Sequence, residues 1–166
     1  MTETEVAQHI PRLRRYARAL VGERHAADDL VQDTLERAIN KFHLWRPGSD
    51  LRAWLFAIMH NVFVNQIRAR GARPEEPLDE TFDVPGLAGT VDRLEVRDLD
   101  AALARLPVEQ REVVLLVGLE ELSYAEASKA LGIPIGTVMS RLFRGRERLR
   151  ALMAGASAQT NLKVVK

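Results

Sequence analysis

The chain has 166 residues, 46% of them apolar and 28% charged, with a net charge of +1. That length allows one medium domain or two small ones, and the composition is that of a soluble globular chain. It holds no cysteine, which excludes a disulfide framework and cysteine-based zinc sites, and no apolar run nears the ~20 residues of a membrane span.

The N-terminus lacks a long apolar stretch after a basic start, so no secretory signal is read and the protein is expected to stay in the cytoplasm. The net charge hides a division. Residues 1–74 carry +4, residues 75–95 carry −6 and residues 96–166 carry +3. Two basic ends suit contact with nucleic acid, although ordinary charge scatter gives the same counts.

The first predicted helix covers 3–21, with Pro11 bending or restarting it. The second covers 25–42. There Ala27, Leu30, Val31, Thr34, Leu35, Ala38, Ile39 and Phe42 recur at three and four residues and form one buried stripe. Asp29, Gln32, Asp33, Glu36 and Asn40 fall on the opposite face. Acids near a helix N-terminus also favour its dipole, so a plain solvated face fits too. A metal site does not fit: Asp28 and Asp29 point apart, and only His25 stands near.

Pro47-Gly48 marks a loop over 43–49. The third predicted helix covers 50–70, with Leu51, Trp54, Leu55, Ile58, Val62 and Ile67 as its apolar face. It also carries Phe56, His60, Asn61, Asn65, Gln66 and Arg68. Rings, amides and arginine together suit single-stranded DNA, where bases stack and the backbone follows positive charge. Trp54 and Phe56 serve a plain core equally well.

Residues 71–89 hold three prolines and three glycines, are acidic and have no period. They read as a linker, too long at about 20 residues for a loop inside one domain. The expected organisation is all-α: two small helical domains, 1–70 and 96–154, joined by an acidic flexible linker, 71–95. A frayed tail, 155–166, follows.

In the second domain a helix over 91–106 stops at Pro107, and another covers 108–118. Ser123-Tyr-Ala-Glu126 is a capping box, in which serine bonds the N3 amide and glutamate reaches back. Leu131-Gly132 ends that helix, and a last helix follows Pro134 to 154. Short capped helix, glycine turn and longer helix make a helix-turn-helix. Val138, Leu142, Gly145, Leu149 and Leu152 should face the core. Thr137, Ser140, Arg141, Arg144 and Arg148 lie on the other side. Arg146 and Arg150 bring the guanidinium groups to five, offset only by Glu147. A basic solvated helix is the plain alternative; the cap and turn favour DNA. The start of such a helix enters the major groove, making Thr137, Ser140 and Arg141 candidates for base edges. Arg144 suits base or phosphate, and Arg148 phosphate.

Four motifs stand in order: Ala27-Asp-Asp-Leu-Val-Gln-Asp-Thr34, Trp54-Leu-Phe-Ala-Ile-Met-His-Asn61, Leu122-Ser-Tyr-Ala-Glu126 and Gly136-Thr-Val-Met-Ser-Arg141. Over residues 8–153 the chain resembles the extracytoplasmic-function (ECF) sigma factors, the small two-domain branch of the bacterial sigma family. The resemblance implies a non-enzymatic subunit that directs core RNA polymerase to promoters, in a stress or envelope response, without a cofactor. It implies that Asp29, Gln32, Asp33, Glu36 and Asn40 dock on the clamp coiled coil of the largest polymerase subunit. Trp45, Trp54, Asn61, Asn65 and Arg68 would serve the −10 element, with a base flipped into the loop before the third helix. Thr137, Ser140, Arg141, Arg144 and Arg148 would read the −35 element. The linker would thread toward the active site and RNA exit path, and an anti-sigma factor is an expected partner.

The chain departs from relatives at three positions. Leu55 stands where housekeeping members have a second aromatic, so strand separation should be weaker and promoter choice stricter. Asn65 stands where relatives often have Asp, and Ser128, where packing is often Ala-rich, needs a backbone partner if buried. A competing reading is a free-standing helix-turn-helix regulator that binds duplex as a dimer, which leaves the first domain without a role. An enzyme would need a Ser/His/Asp set, phosphate loop or metal cluster, and His9, His25, His43 and His60 are scattered.

Overall fold

The computed structural model describes residues 3–71 and 93–164, with side chains over 4–70 and 97–155. Most of the expected linker therefore lies outside the described residues. Every regular element among the described residues is helical.

The first predicted helix is two. α1 covers Glu3–Ala7 and α2 covers Ile10–Val21, with Pro11 in the first turn of α2. Proline suits that turn because the first helical amides have no partner to lose. α2 ends at Gly22 with φ 81°, the left-handed conformation glycine adopts freely.

α3 covers Arg24–Asn40. Glu23 caps it: Oε1 accepts from the His25 amide at 2.9 Å and Oε2 from the Ala26 amide at 2.7 Å. These two backbone bonds hold the Glu23 carboxyl below its ordinary pKa. A carboxylate with a lowered folded pKa stabilises above its unfolded pKa of about 4.3. That stability is lost as pH falls through the folded value. Glu23→Ala is expected to cost about 1 kcal/mol at neutral pH. In urea titrations the gap from wild type should narrow as pH falls below the unfolded carboxyl value of about 4.3.

The α3 stripe is buried at Ala27, Leu30, Val31, Thr34 and Ala38. Thr34 satisfies its buried hydroxyl on the Leu30 carbonyl at 2.7 Å. Ile39 corrects the expectation: it is 53% exposed, because α3 ends at Asn40 and, among the described residues, nothing covers its last turn on that side. Phe42 leaves the helix for a 3-10 turn, Phe42–Leu44. α4 covers Leu51–Gly71. Leu55, Ile58 and Val62 are buried as expected, but so are Phe56, Met59 and Phe63, and Ile67 is exposed. α4 is thus apolar over more than one face, and two neighbours use it.

α5 covers Arg93–Arg105, and α6 covers Val108–Val114 after Pro107. α6 runs into a π turn, Leu115–Leu119, where the Glu120 amide bonds the Leu115 carbonyl at 3.0 Å. α7 covers Tyr124–Leu131 between a complete Ser123–Glu126 capping box and Gly132 at φ 67°. Ser128 finds its partner in the Ile133 carbonyl at 2.5 Å. α8 covers Ile135–Val164, so the last helix runs ten residues beyond the expected 154, through most of the segment read as a frayed tail. Its core stripe is as expected: Val138, Leu142 and Gly145 are buried, Leu149 and Leu152 half-buried. A methyl on Gly145 would meet Val114 Cγ2 at 2.7 Å, which is how closely α8 approaches α6.

In the first lobe α2 packs on α3 and α3 on α4; in the second α5, α6 and α7 pack on α8. The lobes touch. α4 lies against α7, and α2 against α5, α6 and the π turn. Buried residues of both lobes belong to one contiguous apolar cluster.

Candidate nucleic-acid and polymerase interface

Three solvent faces carry the polar motif residues. On α4, residues 54, 61, 65 and 68 follow helical spacing along one side. Asn61, Asn65 and Arg68 are exposed and Trp54 is half-buried. Trp54 meets Phe42 edge-on at 6.4 Å, and Phe42 stacks on Trp45 at 6.3 Å. Beside these rings Glu5, Phe42, His43, Trp45 and Pro47 line an open recess of about 520 Å³. The Trp45 indole N–H is buried without a partner. Phe56 is not on this face: it is 2% exposed and packs edge-on against Tyr16 at 5.0 Å. His60 and Gln66 are engaged elsewhere, with Glu112 at 2.5 Å and Asp33 at 3.0 Å.

On α3 all five predicted docking residues, Asp29, Gln32, Asp33, Glu36 and Asn40, are exposed. Next to them lies a basic groove that α3 periodicity alone does not reveal. Arg14 and Arg18 of α2 and Arg24 of α3 line it with Asp28 and Gln32, about 460 Å³ in volume. Arg18 Nε is buried without a partner. The surface therefore has an acidic side and a basic side.

On α8, Ser140, Arg144 and Arg148 are exposed, while Thr137 and Arg141 are half-buried. Ser140 Oγ donates to the Thr137 carbonyl at 3.1 Å, and Arg141 Nη2 stands 3.9 Å from Glu109 Oε2. Three apolar residues join this surface: Ile135, Met139 and Phe143 are 46%, 50% and 67% exposed. Their spacing of four was readable, but beside the true core stripe it passes for part of it. Among the described residues no group of three His, Asp or Glu could hold a metal ion, and no helix is long and apolar enough to cross a membrane.

A helical chain whose second lobe presents an arginine-rich helix from a capped helix-turn-helix, beside a first lobe with a ring-and-amide face, is a DNA-reading protein of transcription. The family model described as the Sigma2 domain of PhyR matches residues 6–60, and that of Sigma-70 region 4 matches 97–149. The chain is 39% identical over 151 residues to the ECF RNA polymerase sigma factor EcfG of Rhodopseudomonas palustris, spanning 90% of this chain and 83% of that protein. It is 39% identical to the ECF sigma factor SigE of Mycolicibacterium smegmatis, covering 93% of this chain and 62% of that one. Its fold matches the sigma factor RpoE solved with the anti-sigma factor NepR from Bartonella quintana. There the TM-score is 0.79 and the identity 36%, over 92% of this chain and 96% of that one. The chain belongs to the ECF sigma factors, and it directs RNA polymerase to promoters.

Proposed function

We propose a division of labour among the three faces. α8 reads the −35 element as duplex, with Thr137, Ser140 and Arg141 toward base edges, Arg144 toward base or phosphate and Arg148 toward phosphate. The observation that carries this is the outward row Ser140, Arg144 and Arg148 on a helix whose Val138 and Leu142 are buried. Phe143, exposed beside Arg144, suits apolar contact with a thymine methyl group. Trp54, Asn61, Asn65 and Arg68 take the −10 region as single strand. The recess beside Trp45 receives a flipped base, with the rings of Phe42 and Trp45 to stack on and Glu5 to accept a hydrogen bond.

Asp29, Gln32, Asp33, Glu36 and Asn40 dock on the clamp coiled coil of the polymerase largest subunit. Arg14, Arg18 and Arg24 extend that surface toward acidic side chains of the same partner, which makes the contact two-signed and fixes its register. The protein works in the cytoplasm, in a stress or envelope response, and catalyses no reaction of its own. An anti-sigma factor restrains it, a reading supported by the similar sigma factor solved with NepR.

Holoenzyme footprints on promoter DNA test the −35 assignment. Arg144→Ala is expected to cost roughly 1–3 kcal/mol of promoter affinity if it bonds guanine bidentately. Arg141→Ala gives up a similar contact and frees Glu109 as well. Unchanged affinity in both single variants and the double variant rejects the assignment.

A further inference from the structure

The arginines of α8 are not alike. Among the described residues two of them meet a carboxylate. Arg150 pairs with Glu147 of its own helix at 3.3 Å, on the surface. Arg141 pairs across helices: its Nη2 stands 3.9 Å from Glu109 Oε2, with the two side chains 31% and 70% exposed. Glu109 lies in the first turn of α6, and packing on both sides holds that turn in place. One turn after Arg141, Gly145 lets α6 come close. A methyl at 145 would stand 3.4 Å from Cβ of Gln110, the neighbour of Glu109, as well as meeting Val114. On the other side Arg111 ties α6 to the end of α5. Its Nε donates to the Leu103 carbonyl at 2.8 Å, and its Nη2 to the Ala104 and Leu106 carbonyls at 2.9 Å each. A carboxylate is thus carried on a fixed backbone to the edge of the row Thr137, Ser140, Arg141 and Arg144.

We propose that Glu109 is a positioning residue for −35 recognition, which directs Arg141 to a guanine, keeps it off the phosphates and so sets the base preference at one position. This role rests on the base-edge reading of Arg141. A guanidinium group is a planar fork of five N–H donors. A carboxylate beside Nη2 orients that plane and leaves other N–H groups for guanine O6 and N7. The carboxylate also offsets the charge that draws an arginine to any phosphate, a contact that carries no sequence information. The consequence appears at a wrong base pair. There Arg141 falls back on Glu109, gains nothing from the DNA, and the mismatch keeps its full cost. Without Glu109 the same arginine can settle on the backbone, which returns part of the lost energy and blunts discrimination. Specificity is a difference of affinities, and an internal competitor raises it by weakening the wrong complex.

Holoenzyme affinity for promoter fragments in which each −35 base pair is replaced in turn tests this role. Arg141→Ala should flatten the preference at one position, which locates its base pair. Glu109→Gln changes a side chain that is 70% exposed, so the fold stands. At the Arg141 position it should lower the penalty for a wrong pair roughly two- to fivefold, the worth of an exposed ion pair. Penalties at the other positions should stay as in wild type. On the fragment with that pair replaced, the plot of log affinity against log salt should steepen by about 0.9, as one more phosphate contact forms. Adding Glu109→Gln to Arg141→Ala should change no penalty further, because the carboxylate acts through that arginine. A full wild-type penalty in Glu109→Gln overturns the positioning role. So does an equal fall at every position, which is plain relief of repulsion between a carboxylate and DNA. Arg141→Ala that weakens every fragment alike overturns the base-edge reading of Arg141, and the role of Glu109 with it.

Discussion

Trp54→Ala is expected to lose transcription from duplex promoters and to recover it on templates already melted at −10. Taking a base out of the duplex costs a few kcal/mol, and a ring or pocket must return that energy. Stacking on an aromatic side chain returns roughly 1–3 kcal/mol per base, or about 5-fold to 150-fold in the opening equilibrium. The first lobe has few rings to offer. Phe56 is in the core, and Leu55, at the position where housekeeping relatives carry a second aromatic, is 0% exposed. Trp54 is half-buried, with Phe42 beside it and Trp45 beyond. Its loss costs some packing, so thermal stability should fall modestly while core binding and closed-complex formation persist. Abortive-product assays on duplex and premelted templates separate the outcomes. Equal defects on both, with a large fall in thermal stability, make Trp54 a core residue and remove its role in opening.

Charge reversal at both Asp33 and Glu36 is expected to abolish capture of core polymerase while leaving the circular dichroism spectrum unchanged. Both side chains stand exposed on α3, opposite the buried Leu30, Val31 and Ala38. Among the described residues the intramolecular side-chain bond at stake is Gln66 Nε2 to Asp33 Oδ2 at 3.0 Å, on the surface, and its loss is small. Truncating one partner of a buried interfacial charge pair typically costs 2–5 kcal/mol or more; reversal adds like-charge repulsion, and two sites together predict a fall of about 1,000-fold or more. The Arg14, Arg18 and Arg24 groove makes a companion test. Reversal at Arg14 should weaken capture as well, because a two-signed surface needs both its sides. Normal core capture by the Asp33, Glu36 variant places the docking surface elsewhere.

Much of this was legible along the chain. The Ser123–Glu126 capping box, the left-handed Gly132 and the inward Val138, Leu142 and Gly145 are consequences of neighbours three or four residues apart. Local rules of hydrogen bonding and helical period act at that range. The exposure of the five α3 residues and of Ser140, Arg144 and Arg148 follows from the same period. Even the need of Ser128 for a backbone acceptor could be stated before its partner, the Ile133 carbonyl, was seen.

Periodicity failed where a helix meets more than one neighbour, or none. Ile39 and Ile67 fit the apolar pattern and are exposed, because among the described residues nothing packs over those turns. Phe56, Met59 and Phe63 fall outside the expected face of α4 and are buried, because helices pack on it from two directions. The arginine groove needs α2 and α3 side by side. The burial of Glu112 and Glu120 was the least legible feature of all. Glutamate is among the residues least often buried, and their partners His60 and Arg15 lie 52 and 105 residues away in the chain. A buried carboxyl group needs hydrogen-bond partners or an opposite charge brought to it. The sequence by itself therefore determined most of the helices, the Ser123–Glu126 cap and the outward chemistry, since these depend on residues a turn apart. Only the tertiary structure decided that the lobes lie against each other, since that depends on apolar faces and on partners such as Arg15 and Glu120 that the fold alone brings together.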